Sequence, residues 1–195
     1  MAKGIDAQKL ELPSAESIAV AAQESVKGGL PPVETWNPPF CGDLDMRIAR
    51  DGTWFYLGTP IGRAGLVKLF SSIIRKDGDD YFLVTPVEKV GITVDDAPFV
   101  AIDFDASGDG EAQDLRFETH VGDHVTAGPD NPIRVAFDEN AEPSPYVLIR
   151  RNLEALVDRK SFYRLVDLGV HKDGWFGVWS GGVFFPLIRS EALEA

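Results

Sequence analysis

One cysteine, Cys41, stands in a chain of 195 residues, which excludes an intramolecular disulfide framework and fits a reducing compartment. Positive charge is scarce: 19 Lys and Arg face 31 Asp and Glu, for a formal net charge of −12. That excess repels phosphate backbones and anionic lipid, so neither nucleic acid nor a membrane is expected as a partner. Long apolar runs are missing as well. Ile18 to Ala22 is too short for a signal-peptide core, and nothing approaches the ~20 apolar residues of a bilayer crossing, so a cytoplasmic protein is expected. There is no P-loop, no dinucleotide fingerprint and no nucleophile elbow. Ser180-Gly181-Gly182 lies between strand-like segments, where an elbow needs a following helix. Cys41 has no histidine near it in sequence to serve as a base and reads as a buried structural thiol.

What the chain does have is self-similarity. Met46-Arg47-Ile48-Ala49-Arg50-Asp51 returns at an offset of 87 as Ile133-Arg134-Val135-Ala136-Phe137-Asp138, and Arg63, Leu66 and Leu69 return at the same offset as Arg150, Leu153 and Leu156. A shared offset implies a duplicated unit, with a seam between related halves where a ligand or partner could sit. The expected organisation is an N-terminal helix and Pro-rich extended segment over 1–35, a first α+β repeat over 36–110 and a second over 111–195.

Local patterns fill in the units. Pro13 and Ser14 open a helix over 13–26 that carries Ile18, Ala22 and Val26 on one face. Pro31, Pro32, Pro38 and Pro39 stiffen the next stretch, anchored by Trp36 and Phe40. Strands are expected over 44–49 and 53–57 about an Arg50-Asp51-Gly52 turn, then a helix burying Leu66, Leu69, Phe70, Ile73 and Ile74, stopped by 76–80. Strands over 81–85, 87–94, 98–104 and 113–121 follow. In the second unit, strands over 133–137 and 145–149 precede a helix carrying Leu153, Leu156 and Val157. Tyr163-Arg164-Leu165-Val166 then mirrors the strand Tyr81-Phe82-Leu83-Val84, and 175–179 with 183–187 close a hairpin. The fold class is therefore α+β, a duplicated strand–strand–helix plus antiparallel meander.

Several candidate sites carry chemistry on paper. Residues 103–114 place oxygen ligands at positions 1, 3, 5, 9 and 12 of an EF-hand-like loop with glycine at position 6. Gly110, Asp114 and the strand-like flanks oppose calcium, and the segment reads as an acidic hairpin tip. His120-x-x-x-His124 has zinc-like spacing, but Gly122 and Val125 oppose a helix, so the two read as a solvent-facing pair. His171 sits in a turn. No metal, cofactor or catalytic residue is assigned. Arg47 with Arg134, and Arg63 with Arg150, recur in both units beside apolar runs, where a guanidinium could grip a carboxylate or phosphate or pair with a nearby acid. A cation at a helix start opposes the dipole, which makes Arg63 and Arg150 stand out. Trp175 and Trp179 share a strand face and serve either the core or a ring-bearing ligand.

The segments Trp36-Asn37-Pro38-Pro39-Phe40-Cys41-Gly42, Asp51-Gly52-Thr53-Trp54-Phe55-Tyr56, Gly58-Thr59-Pro60-Ile61-x-Arg63, Leu83-Val84-Thr85-Pro86-Val87-Glu88-Lys89 and Asp95-Asp96-Ala97-Pro98-Phe99 resemble bacterial domain-of-unknown-function family 1285 over about 33–188. The resemblance implies a duplicated α+β core whose C-terminal half is similar to pleckstrin-homology-like folds. It also implies a nucleotide-like ligand between the domains and a role in signal transduction, and it carries over no catalytic residue.

The leading expectation is a cytoplasmic, non-enzymatic module that binds a small anionic or nucleotide-like ligand at the seam. Arg47, Arg63 and Arg150 would face its negative groups, Tyr56 and Trp175 its ring, and Glu88 its donors. The alternatives are an adaptor for a protein partner, or a hydrolytic enzyme using Glu88, Asp95 and Asp96.

Overall fold

A computed structural model describes residues 13–26 and 28–193; the rest of the expected 1–35 segment lies outside the described residues. Helix α1 (Ala15–Ser25) begins where Ser14 accepts from the Ser17 N–H and Ser17 returns a bond to the Ser14 N–H, a capping box that satisfies two end donors. Its buried residues Ala15, Ile18 and Ala22 follow the expected face, and it packs against the second helix.

Six strands make the first sheet: β1 (Phe40–Ile48), β2 (Trp54–Tyr56), β3 (Thr59–Pro60), β4 (Ile74–Asp77), β5 (Asp80–Val84) and β6 (Lys89–Val94). Helix α2 (Ala64–Ser72) links β3 to β4. The order is β3-β2-β1-β6-β5-β4, two antiparallel meanders joined where β1 runs parallel to β6. Along β1, Leu44, Met46 and Ile48 are buried and alternate with exposed Asp45 and Arg47, as the period of two requires.

The second half repeats that topology. Strands β7 (Phe99–Ser107), β8 (Asp114–Thr119), β9 (His124–Thr126), β10 (Ile133–Phe137), β11 (Pro143–Arg150) and β12 (Leu153–Val157) lie in the order β10-β11-β12-β7-β8-β9, with β7 parallel to β12. Helix α3 (Arg159–Asp167) and a three-stranded sheet of β13 (Val170–Lys172), β14 (Trp175–Ser180) and β15 (Val183–Arg189) follow. The Ser180 hydroxyl donates to Ala127 and accepts from Leu115, fastening this last sheet to the second half.

The duplication is therefore real, but its register differs from the offset of 87. That offset matches the end of β1 with β10, which occupy different places in their sheets. The expected helix at Leu153, Leu156 and Val157 is strand β12. Leu153, Ala155 and Val157 are buried in alternation, and in so short an apolar run i and i+4 share a face under either period, which leaves Leu156 alone to suggest a helix. The expected strand at Tyr163–Val166 is instead part of α3, which starts because the Asp158 carboxylate caps the Ser161 N–H at 2.7 Å. Helix α2 also ends earlier than expected. Ile73 caps it, and Ile74 begins β4, where β-branched side chains are at home. The sheets change over between Val94 and Phe99, whereas the expected boundary at 110/111 falls inside the β7–β8 hairpin.

Candidate functional site

The halves meet where α2 and the β1–β2 turn touch the turn between β8 and β9. Gly52 makes the approach close. Its φ is +84°, and a Cβ there would lie 3.2 Å from the His120 ring and from Val100. At the other end of α2, Arg150 holds the seam together. Its guanidinium pairs with Asp123, donates to the Ser71 carbonyl at 2.7 Å and lies 4.6 Å from the Phe99 ring centroid. Arg150 thus stands beside a helix C-terminus, where the dipole favours a cation, and not at a helix start.

Between these contacts a groove of about 450 Å³ opens, lined by Gly52, Trp54, Ile61, Gly65, Lys68 and His120 among others. Two of its lining residues carry buried nitrogens with no partner among the described residues: Trp54 Nε1 in the first half and His120 Nε2 in the second. Trp54 is 1% exposed and stacks on Phe70 of α2, with ring centroids 6.1 Å apart. Chemistry decides the His120 tautomer. The Val100 N–H donates to His120 Nδ1 at 3.1 Å, so that nitrogen is unprotonated and the hydrogen of the neutral ring sits on Nε2. Burial pushes His120 below its usual range, against the pull of Asp123 and Asp51. Both orphaned groups are thus uncharged N–H donors. Arg63, the N-cap of α2, contributes no side-chain cap, and Ala64 and Gly65 of the first turn line the same groove.

None of the six residues expected at a ligand lines this groove; Arg63 stands in sequence between two that do, Gly62 and Ala64, and is exposed, with no ion pair among the described residues. Arg47 pairs with Asp95 at 2.5 Å and covers the Phe55 ring. Its counterpart Arg134 pairs with Glu154. The Tyr56 hydroxyl lies 3.5 Å from the Ala15 N–H and serves α1. Glu88 occupies the β5–β6 turn, where burial raises its carboxyl above the usual range. Trp175 lies beneath Arg189 at 3.9 Å in the last sheet.

The carboxylates expected for hydrolysis are dispersed. Glu88 precedes β6 and Asp95 follows it, a separation of roughly 20 Å at about 3.3 Å per residue. Asp96 accepts from the Tyr146 hydroxyl at 2.7 Å, and Arg50 Nη1 stands 3.2 Å from its other oxygen. His120 and His124 are not a solvent-facing pair either, since only His124 is exposed while His120 is drawn against Gly52. Asp103, from the EF-like loop, pairs with Arg164, and β7 and β8 flank that loop as a hairpin. Cys41 is half-buried, its thiol directed to the Pro39 carbonyl.

A larger groove, about 630 Å³, runs past Arg50, Asp158 and Arg159. Its polar groups already have partners: Asp158 caps α3, Arg159 donates to Tyr163, and Arg50 donates to Ser144. The seam groove is distinguished by donors that lack any.

Sequence reasoning gave Trp54 no role at a site and read His120 as half of a solvent-facing pair. The available signal was the run Gly62-Arg63-Ala64-Gly65, a helix start without Ser, Thr, Asp or Asn to cap it.

No described helix is long and apolar enough to cross a membrane. None of the curated proteins matches the chain. Two solved structures do. A DUF1285 family protein from Silicibacter pomeroyi DSS-3 is 60% identical, covers 91% of this chain and 98% of its own, and superposes with a TM-score of 0.86. A DUF1285 family protein from Shewanella baltica OS155 is 31% identical, covers 64% of this chain and 91% of its own, with a TM-score of 0.50. The N-terminal domain of unknown function DUF1285 matches residues 31–97 and the C-terminal domain matches 98–187, so the two meet between β6 and β7 where the sheets change over, and the chain belongs to the DUF1285 family.

Proposed function

We propose that this protein is a non-enzymatic binding module that takes a small anionic ligand in the seam groove. The observation that supports this reading is a groove lined from both halves that joins Lys68 to the uncapped start of α2. The open first turn of α2 adds main-chain N–H groups and the positive end of a helix dipole. Lys68 supplies charge from the groove lining in a chain that is otherwise acidic, and Arg63 is the neighbour of the lining residues Gly62 and Ala64.

A ligand in a groove lined by Lys68 of one half and His120 of the other touches both halves and favours one setting of them. Such population shift is how the module would serve signalling in the cytoplasm. Thermal-shift screening against nucleotides, inorganic anions and small organic acids tests the reading, with Arg63→Ala as a rim control. At least one class is expected to raise Tm in a saturable way, more weakly in Arg63→Ala. No saturable shift from any class would refute it.

A further inference from the structure

We infer that the outward face of the last sheet docks an extended acidic peptide segment of a protein partner, on a surface separate from the seam groove. Strand alternation sets the two faces of this sheet apart. On β14, Phe176 and Val178 pack with the core and the Ser180 hydroxyl is bound to Ala127, so Trp175, Gly177 and Trp179 point the other way. On β15, Phe185 and Leu187 belong to the core, which turns Phe184 and Pro186 outward beside Trp179 and Gly177. Val170 and Lys172 of β13 lie opposite Gly177 and Trp175 and are exposed. Trp175, Trp179 and Phe184 are half-buried and take no part in the core cluster. Core packing therefore does not account for two indoles and a phenyl ring on this face.

Charge selects the partner. The chain carries 31 acidic residues, yet none of them falls in β13, β14 or β15. The face instead holds Lys172 and Arg189, neither of which has an ion pair among the described residues, although Asp173 occupies the turn from β13 to β14. Rings hold both cations in place. Lys172 Nζ lies 4.2 Å from the Trp179 ring centroid, and Arg189 Cζ lies 3.9 Å from that of Trp175. Trp179 is itself braced by Phe184, with 5.5 Å between their centroids. At 0.15 M salt the net charge of −12 is screened beyond about 8 Å, which leaves these local cations to act.

Spacing sets the form of the ligand. Trp175 and Trp179 are four residues apart on one strand, roughly 13 Å at about 3.3 Å per residue. A lone carboxylate or phosphate does not reach both cations across that distance. An extended peptide carries every second side chain on one side, so acids at its positions i and i+4 match the two cations. The side chain at i+2 then falls over Phe184, Pro186 and Val170. A single-stranded nucleic acid would need open ring faces for its bases, and each indole already carries a cation.

NMR titration of the ¹⁵N-labelled full chain at 0.15 M salt tests this, with the two indole resonances assigned from Trp175→Phe and Trp179→Phe. The probe is an end-blocked nonapeptide of threonine and serine with glutamate at the third and seventh positions and valine at the fifth. Comparison probes carry lysine in place of both glutamates, or two adjacent glutamates, and the last is a nine-nucleotide oligouridylate. Saturable movement of both indoles is expected with the first peptide, and binding at least tenfold weaker with every comparison probe. Lys172→Glu and Arg189→Glu should each weaken the first peptide at least tenfold; both side chains are exposed, and an unchanged melting temperature separates lost binding from lost folding. The peptide comparison on the unaltered chain needs no variant. No movement of either indole, equal binding of the lysine or adjacent-glutamate peptide, or equal or tighter binding of the oligonucleotide would each overturn the inference.

Discussion

Arg150 offers the sharpest test of how the halves are joined. Its side chain is 10% exposed and meets Asp123, the Ser71 carbonyl and the Phe99 ring at once. In Arg150→Met the apolar stem remains, but the charge-assisted bond to Ser71 and the ion pair are lost together. The bond is worth about 1.5–3 kcal/mol, and breaking a buried pair by removing one partner costs about 3–5 kcal/mol in all. Asp123 is 26% exposed, so water partly restores its solvation and the lower figure, about 3 kcal/mol, is expected. Equilibrium urea unfolding reads this directly: with m near 2–3 kcal/mol/M, the midpoint falls by roughly 1–1.5 M. Asp123→Asn alone should cost less, because Asn still accepts a hydrogen bond, and the double variant should cost less than the two singles combined. A loss below about 1 kcal/mol in Arg150→Met, or strict additivity in the double variant, would show that Arg150 does not hold the seam.

Gly52→Ala should destabilise by about 1–2 kcal/mol, because φ is +84° and the new methyl meets His120 and Val100 at 3.2 Å. Gly65→Ala should instead stabilise by up to about 1 kcal/mol, since nothing lies near its Cβ; thermal melts of both, compared with wild type, decide the contrast. His120 gives a pH signature. Burial holds its folded-state value below 6.5, so the unfolded chain binds a proton that the folded chain refuses. Stability is full above pH 6.5 and declines as pH falls through the window below it; a urea midpoint that rises from pH 7.5 to 5.5 would contradict this, and His120→Gln should flatten the slope. Asp158→Ala removes the cap on the Ser161 N–H and should cost about 1 kcal/mol by the same unfolding assay, with a loss of helical circular dichroism.

The residues that announced their structure did so through local chemistry. Ser14 with Ser17 marks the start of α1, and Arg50-Asp51-Gly52 marks a turn whose glycine has the expected positive φ. Leu153, Leu156 and Val157 misled because they fit a helical spacing, while Leu153, Ala155 and Val157 in the same five residues fit an alternating one. The packing of β12 between β11 and β7 settled the choice, and no local pattern contains that neighbour. The duplication was legible as a fact but not in its register, since topology recurs in the halves where sequence does not. Arg63 was legible as a cation at an uncapped helix start, although it does not line the groove. Trp54 and His120 were not. Their meaning lies in a missing hydrogen bond between segments far apart in the chain, and only a three-dimensional account of every partner exposes it.

The parallel pairing of β1 with β6, and of β7 with β12, has a consequence for the chain as it is made. The first strand of each half finds its central neighbour only when the last strand exists: Ile48 waits for Val94, and Ala101 for Val157. Until then β1 and β7 each present one unpaired edge, the template on which foreign strands add. Loop closures of this span slow folding, because the entropy of bringing the ends together is lost before the pairing rewards it. On a ribosome adding about 5–20 residues per second, the first edge stays open for several seconds, and a chaperone that shields it would matter more for yield than for final stability.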